Sequence, residues 1–232
     1  MTGSLPRRCL AEALGTALLL ATVVGSGIMG ERLANGNLAI ALLANSLATG
    51  AMLVVLILIF ASVSGAQFNP VVSLAFALRR ELPWREAAFY MPCQLAGAIL
   101  GVWIAHIMFN LPVIELSRQM RGDKGQWVSE AVATFGLVVT ILGCRRCAPA
   151  ATSYAVGLYI TAAYWFTAST SFANPAVTVA RALTDTFAGI AWNGIAGFVA
   201  AELAGMALAL AAAHLFWCSE PLEALASPRR GG

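Results

Sequence analysis

Two Asn-Pro pairs, Asn69-Pro70 and Asn174-Pro175, are the most specific chemical feature of this 232-residue sequence. Asn is a preferred N-cap of an α-helix and Pro is preferred at the first helical position, so each pair predicts a helix start. The oxygen of a capping Asn accepts a backbone N–H, which leaves the amide NH₂ as a donor to other groups. Two helix N-termini also bring partial positive charge to the point where they meet. Such a site favours the oxygen atoms of neutral molecules and repels cations.

Two acidic residues, Glu12 and Glu130, lie inside long apolar segments. Ionisable groups are costly inside a membrane and are candidate functional groups for that reason. We favour a structural role, in which the carboxylates accept backbone N–H groups from the non-helical chain before each Asn-Pro helix. A proton relay or a coupling-ion site at the same two residues is the alternative.

The composition indicates the environment of these residues. The chain is 59% apolar and 11% charged, whereas a soluble domain is about 45–50% apolar and about 25% charged. This indicates a polytopic membrane protein and excludes a cytosolic enzyme, a disordered chain and a secreted disulfide scaffold. The net charge of +3 without a basic, aromatic-rich run gives no indication of a nucleic-acid partner. No side-chain set has the spacing of a metal site or a catalytic triad, so we predict neither metal nor catalytic residues.

Eight apolar segments must position the Asn-Pro pairs. Six are long enough to cross a bilayer, which takes about 20 residues, and they cover 10–30, 38–62, 87–109, 127–147, 151–168 and 190–217. The other two, 69–79 and 174–184, have eleven residues each. Such a helix is about 16 Å long, roughly half of the hydrocarbon core. Because broken backbone is tolerated in a membrane only inside protein or beside a wet cavity, these half-helices predict a pore or binding site at mid-depth.

The two halves of the sequence form an internal repeat. Three blocks correspond in the same order: Ala11-Glu12-Ala13 with Ser129-Glu130-Ala131, Asn69-Pro70-Val71-Val72 with Asn174-Pro175-Ala176-Val177, and Gln94-Leu95-Ala96-Gly97 with Glu202-Leu203-Ala204-Gly205. Each half holds three spans and one half-helix, and an odd number of spans inverts the second half relative to the first. Inverted repeats with broken helices place the functional site near the membrane midplane. We therefore expect the two half-helices to enter from opposite faces and to meet at their N-termini.

These features resemble the major intrinsic protein family, the aquaporins and aquaglyceroporins, over residues 8–217. The paired Asn-Pro-Ala boxes, here Asn69-Pro70-Val71 and Asn174-Pro175-Ala176, are highly specific to that family. The resemblance implies an all-α membrane protein with six transmembrane helices and two re-entrant half-helices. It also implies a homotetramer with one pore per subunit. Transport of small neutral solutes across the lipid bilayer would be passive, with no cofactor and no enzymatic activity.

The resemblance sets expectations for domains and orientation. We expect one channel domain, 10–217, with repeats at 10–109 and 127–217, and cytoplasmic tails at 1–9 and 218–232. Nine basic residues would then be cytoplasmic and five external, in agreement with the positive-inside rule. The cytoplasmic set is Arg7, Arg8, Arg79, Arg80, Arg85, Arg145, Arg146, Arg229 and Arg230, and the external set is Arg32, Arg118, Arg121, Lys124 and Arg181. The predicted location is the inner (plasma) membrane, as a multi-pass protein.

The sequence departs from the family pattern at three positions. Val71 replaces the Ala of the first box, and Gln67 stands where the family usually has His. Val177 follows the second box, where the family nearly always has the Arg of the outer, aromatic/arginine filter. Matched by distance from each Asn, the four filter positions are Thr49, Ala162, Ser171 and Val177. This set contains no aromatic ring and no charge.

A filter without Arg and bulky rings should be wider and less polar, and should lose the size discrimination that confines narrow family members to water. We expect passage of glycerol-sized solutes, water and neutral metalloid acids such as arsenite, As(OH)₃, with methylated arsenicals as further cargo. Bacterial relatives with such open filters are associated with arsenic handling. Cation exclusion would rest mainly on Asn69, Asn174 and the two helix ends. Two alternatives stay open: a water-selective aquaporin, and a proton-coupled secondary transporter that uses Glu12 or Glu130.

Overall fold

The computed structural model describes residues 3–217, and over this range the chain is all-helical. Eight α-helices follow one another in the described part: α1 Leu5–Leu33, α2 Leu38–Phe60, α3 Pro70–Leu78, α4 Trp84–Met108, α5 Lys124–Cys147, α6 Thr152–Phe166, α7 Pro175–Ala180 and α8 Trp192–Trp217. Five of them, α1, α2, α4, α5 and α8, are long and apolar enough to cross a membrane. The predicted all-α membrane fold is confirmed.

The element boundaries differ from the predicted ones in three places. Helix α1 begins at Leu5 with Pro6 in its first turn, so part of the expected tail 1–9 is helical. The half-helices are shorter than the predicted eleven residues, because α3 has nine residues and α7 has six before the chain enters a 3-10 turn at Arg181–Leu183. The fifth predicted span, 151–168, corresponds to α6, which has only 15 residues. The expected tail 218–232 lies outside the described residues.

Side-chain contacts define the two ends of the helix bundle. Both terminal nitrogens of Arg8 donate to the carboxylate of Glu86 at 2.6 Å, which joins the starts of α1 and α4. At the other end, the guanidinium of Arg32 lies 5.2 Å from the ring centroid of Phe109, where α1 and α4 finish. We call the end where α1 begins the N-face and the other end the far face. Helix α3 runs from the centre to the N-face, and α7 runs from the centre to the far face.

Close helix packing repeats in the two halves of the molecule. Helix α1 packs on α4, and α5 packs on α8. A Cβ atom at Gly97 would lie 2.1 Å from the carbonyl oxygen of Ala13, and one at Gly205 would lie 2.2 Å from that of Ala131. Only glycine permits this approach of two helices. The outside of the bundle exposes large apolar side chains such as Leu58, as expected of a surface that contacts lipid.

Candidate functional site

Both Asn-Pro pairs begin helices. The side-chain oxygen of Asn69 accepts the backbone N–H of Val71 at 2.9 Å, at the start of α3. The side-chain oxygen of Asn174 accepts the N–H of Ala176 at 3.0 Å, at the start of α7. Each Asn therefore caps its own half-helix through the oxygen, and its amide nitrogen is left to bond elsewhere.

The two capping residues join the halves of the molecule at its centre. Nδ2 of Asn69 donates to the carbonyl oxygen of Ala173 at 2.7 Å, and Nδ2 of Asn174 donates to that of Phe68 at 2.8 Å. These reciprocal bonds hold the two helix N-termini tip to tip. Because an amide NH₂ carries two hydrogens, each Asn retains one further donor.

The segments that lead into the half-helices have an unusual backbone. Ala66 and Phe68 in the first half, and Ser171 and Ala173 in the second, all have φ between 49° and 50°. This left-handed conformation costs a residue other than glycine on the order of 1–3 kcal/mol. Both pairs stand at the same distance before their Asn, so the strain belongs to the repeat and must be balanced by other contacts.

The carboxylate of Glu12 supplies these contacts in the first half. It is fully buried and accepts four hydrogen bonds. The donors are the backbone N–H groups of Gln67 at 3.0 Å and Phe68 at 2.6 Å, the hydroxyl of Ser64 at 2.6 Å and Nε2 of Gln94 at 2.8 Å. Glu12 thus satisfies the polar backbone that no helix can satisfy, which supports a structural role.

Two carboxylates share this task in the second half. Glu130 accepts the backbone N–H groups of Phe172 at 2.9 Å and Ala173 at 2.7 Å. Oε1 of Glu202 accepts the N–H of Asn174 at 3.1 Å, and the hydroxyl of Thr178 at 2.6 Å. Like Glu12, both acids are fully buried. The donors of these hydrogen bonds belong to the loop before α7 and to α7 itself.

A cavity of about 480 Å³ runs beside the paired half-helices. Its walls are mostly apolar and come from α2, α5 and α6 as well as from the two half-helices; they include Leu53, Ile57, Leu137, Ile141, Val156 and Ile160. Asn69 and Asn174 both line it, and each has one amide hydrogen that is not used between the two half-helices. The site thus combines two polar donors with an apolar wall, which suits a molecule with both hydroxyl groups and carbon.

Three of the four expected filter residues, Thr49, Ser171 and Val177, line this cavity. The hydroxyl of Ser171 is buried without a hydrogen-bond partner among residues 3–217. The side chain of Val177 adds an apolar surface one residue beyond the second box.

The fourth expected filter residue is corrected by the structure. Ala162 is exposed on the outside of α6, and the side chains of this helix that line the cavity include Ile160 and Tyr164. Successive residues of an α-helix turn by ~100°, so a shift of two residues moves a side chain to the opposite face. The hydroxyl of Tyr164 donates to Oγ1 of Thr49 at 3.3 Å, so a ring stands where the sequence predicted none.

The expectation that no charge remains near Val177 is also wrong. Arg181 lines the same cavity, four residues after Val177, and is only 2% exposed. Its guanidinium carbon lies 3.4 Å from the ring centroid of Phe172. The helical spacing of Val177 and Arg181 could have revealed this, because residues four apart share one face of a helix.

At the N-face the cavity is lined by a second arginine and ring that the sequence reasoning missed. The guanidinium of Arg145 lies 4.4 Å from the ring centroid of Phe76, and its Nη2 lies 3.2 Å from the carboxylate of Glu81. All three residues line the cavity. They come from three separate elements, so no local sequence signal connects them.

Known proteins share this architecture. A family model described as "Major intrinsic protein" matches residues 2–148. Aquaglyceroporin AqpS of Rhizobium meliloti (strain 1021) is 56% identical over 217 residues, which cover 94% of this chain and 92% of that protein. Aquaporin NIP2-1 of Oryza sativa subsp. japonica is 30% identical over 207 residues, which cover 86% of this chain and 68% of that protein.

The same fold is present in a solved structure. The X-ray structure of the aquaglyceroporin from Plasmodium falciparum matches with a TM-score of 0.75 at 20% identity, and the match covers 95% of this chain and 100% of that one. The fold, the paired Asn boxes and the sequence similarity agree with one another. The chain therefore belongs to the major intrinsic protein family of membrane channels.

Proposed function

We propose that the protein is a passive channel for small neutral solutes: glycerol and similar polyols, water, and neutral metalloid acids such as arsenite and methylated arsenicals. The observation that carries this proposal is the cavity on which Asn69 and Asn174 both present an amide donor. A hydroxyl oxygen accepts from these donors while the carbon skeleton of a polyol contacts the apolar wall. The similarity to a protein named an aquaglyceroporin supports the same solute class.

In this proposal Thr49, Ser171 and Val177 form the selectivity filter. Val177 offers no polar atom beyond its backbone, so the filter has an apolar side that suits the carbon skeleton of a solute larger than water. Ser171 adds a short side chain to the cavity wall. As(OH)₃ carries three hydroxyl groups on a compact neutral centre, and it presents the same hydrogen-bonding surface as a polyol.

The acids of the two repeats are structural in this proposal. Glu12 holds four hydrogen bonds from the loop and from α4, and a carboxylate engaged in this way has no acceptor capacity to spare for a transported proton. This argues against the proton-coupled transporter. The apolar side chain at Val177 argues against a water-selective pore, because such a pore depends on a narrow and polar constriction.

For the assembly, we propose a homotetramer in the inner membrane with both termini in the cytoplasm. The N-face then faces the cytoplasm. It carries Arg79, Arg80, Arg85, Arg145 and Arg146, as the positive-inside rule requires. Each subunit contains its own cavity, so each would conduct by itself.

Flux measurements test this proposal. Purified protein is reconstituted in liposomes, and water and glycerol fluxes are followed by stopped-flow light scattering with and without a pH gradient. We expect glycerol flux that follows the glycerol gradient alone and has a low activation energy. Protein-free liposomes are the control. Uphill glycerol uptake driven by protons, or flux equal to that of protein-free liposomes, would contradict the proposal.

A further inference from the structure

Arg181 is a buried cation whose charge is not neutralised by direct contact. Its exposed fraction is 2%, and no Asp or Glu among residues 3–217 forms an ion pair with it. Glu130 attracts it only at longer range. A buried charge is costly unless it is paired. The position of Arg181 therefore needs an explanation beyond packing.

The hydrogen bonds of Arg181 are incomplete. Its Nε donates to the carbonyl oxygen of Ala188, but its Nη1 is buried with no partner among the described residues. Arg181 lines the cavity, so its charge acts on a solute there although Nη1 itself is covered by neighbouring atoms. A guanidinium cannot lose its proton under ordinary conditions, so the donor and the positive charge are both permanent.

A neighbouring arginine shows the contrasting case. The guanidinium of Arg121 lies 5.5 Å from the centroid of the Phe172 ring, on which Arg181 also packs. Each nitrogen of Arg121 donates to a backbone carbonyl: Nε to Gly189 at 2.9 Å, Nη1 to Ser169 at 3.2 Å and Nη2 to Phe187 at 3.4 Å. Arg121 thus fixes the far-face loops and adds a second positive charge beside the ring. Arg181 is the arginine of this pair that retains an unused donor.

Arg181 also has the right position to act on a solute. It follows Val177 by four residues, which is one helical turn or ~6 Å along the pore direction. Val177, Ser171 and Arg181 all line the same cavity. A charge in the wall of a narrow pore raises an electrostatic barrier to ions of the same sign.

From this geometry we propose that Arg181 is a specificity-determining residue at the far-face end of the cavity. Its permanent positive charge excludes cations, while neutral solutes pass. Arg181 thus supplies, one helical turn further along, the positive charge that the filter lacks at Val177. The inference rests on the proposed function, because it concerns the selectivity of the same pore.

The unmodified protein provides the first test. Glycerol flux is measured in proteoliposomes, and Na⁺ and K⁺ currents are measured in planar bilayers that contain the same preparation. We expect glycerol flux together with cation currents no larger than those of protein-free bilayers. Glycerol flux accompanied by cation currents would overturn the role of Arg181 and leave the channel function standing. The absence of glycerol flux would overturn the proposed function itself.

Substitution of Arg181 provides the second test. Arg181→Gln removes the charge, and we expect K⁺ current to rise by about tenfold because the barrier is gone, while glycerol still passes. Arg118→Gln is the matched control, since it removes the same charge from the same face at a side chain that is 91% exposed. It should leave K⁺ exclusion intact. An Arg181→Gln protein that elutes as a folded oligomer and still excludes K⁺ would overturn the proposal.

Two further variants extend this test, and the first of them, Arg181→Lys, keeps the inference testable if Arg181→Gln does not fold. Arg181→Lys preserves the positive charge, so it should exclude K⁺ like the unmodified protein; K⁺ current through this variant would contradict the proposal. The double variant Arg181→Gln/Val177→Arg returns a guanidinium to the wall one turn away. It should restore K⁺ exclusion, and a double variant that still conducts K⁺ would count against an electrostatic role.

Discussion

The two ends of the cavity use the same pair of groups, an arginine and a phenylalanine ring, in opposite arrangements. At the N-face the ring of Phe76 belongs to the half-helix, and Arg145 of α5 lies 4.4 Å from it. At the far face the arginine belongs to the 3-10 turn that follows α7, and the guanidinium of Arg181 lies 3.4 Å from the ring centroid of Phe172 in the loop before α7. Phe76 and Arg181 correspond in the repeat, because each is the seventh residue after its capping Asn.

The two ends of the cavity differ in how the charge of the arginine is neutralised. Arg145 is 48% exposed and pairs with Glu81, so solvent and a carboxylate cancel most of its field. Arg181 is 2% exposed and forms no ion pair with the described residues. The inverted repeat therefore fixes one backbone plan for both ends, while single residues place a paired, half-exposed arginine at one end and a buried arginine without an ion pair at the other. The proposed charge selection belongs to the far-face end of the cavity.

The largest effect is expected when the loop before α3 loses its buried acceptor, which has no counterpart of equal load in the second half. Glu12→Leu deletes the acceptor of four buried hydrogen bonds and leaves the backbone N–H groups of Gln67 and Phe68 unpaired. We expect a loss of about 3–5 kcal/mol in the free energy of unfolding, or no folded protein. Thermal unfolding in detergent, followed by circular dichroism, measures the loss.

The control for this prediction is Glu31→Leu, which removes an exposed acid from the same helix and should leave the unfolding temperature nearly unchanged. A Glu12→Leu protein as stable as this control would show that the carboxylate does not support the loop.

The second prediction makes the far face still more positive. Val177→Arg places a bulky guanidinium in the cavity wall one turn from Arg181, so it narrows the pore as well as adding charge. We expect glycerol flux to fall by about tenfold, since steric and electrostatic barriers add in a narrow pore. Stopped-flow light scattering of proteoliposomes measures it.

Val177→Met serves as the uncharged control of similar length and should retain much more of the flux. Unchanged glycerol flux in a folded Val177→Arg protein would mean that Val177 does not line the constriction.

The third prediction concerns Gln94 of α4 and Glu202 of α8, which occupy corresponding positions of the repeat, and each is replaced in turn by the residue of the other. Gln94→Glu replaces the amide that donates to Glu12 at 2.8 Å with a second acid, so one donor is lost and two carboxylates compete. We expect a loss of about 1–3 kcal/mol in the free energy of unfolding. Glu202→Gln keeps the oxygen that accepts from Asn174 and Thr178, and it should change stability by less than about 0.5 kcal/mol.

Thermal unfolding of the two variants in one detergent compares them directly. Equal stability of the two variants would contradict the assignment of Gln94 as a required donor to Glu12.

The smallest expected effect is at the N-face. Arg145→Gln breaks the ion pair with Glu81, but exposed pairs contribute about 0–1 kcal/mol, and solvent screens the half-exposed charge of Arg145. We expect less than about a twofold change in glycerol flux and no K⁺ current, since no unscreened charge is removed. A large K⁺ current through Arg145→Gln would show that the N-face also selects by charge.

Much of the fold could be predicted from sequence because its signals are local. An Asn-Pro pair caps a helix wherever it stands, and Glu12 and Glu130 mark the helices that support the two loops. Ser171 and Val177 could be assigned to the cavity because they stand within three residues of Asn174. The short chain between them leaves little freedom in where they lie.

The remaining features depend on packing between distant elements. The assignment of Ala162 to the filter rests on a residue count across a loop, and such a count does not give the rotation of α6 about its own axis. The count of basic residues places Arg181 on the external side as one of five, and such a count does not show whether the side chain is buried. Phe172 precedes Arg181 in the sequence and Ala188 follows it. Only the folded structure brings the ring of Phe172 and the carbonyl group of Ala188 into contact with the guanidinium of Arg181.

The central claim is that solutes pass along the cavity between the two capped half-helices, and thiol labelling tests it most directly. In a background without native cysteines, Val177→Cys and Ala162→Cys are treated with a small methanethiosulfonate reagent, and labelling is quantified by mass spectrometry. Glycerol flux should then be blocked in Val177→Cys, which lines the cavity, and preserved in Ala162→Cys, which is exposed on the outside of α6. Full labelling of Val177→Cys with unchanged glycerol flux would contradict the account.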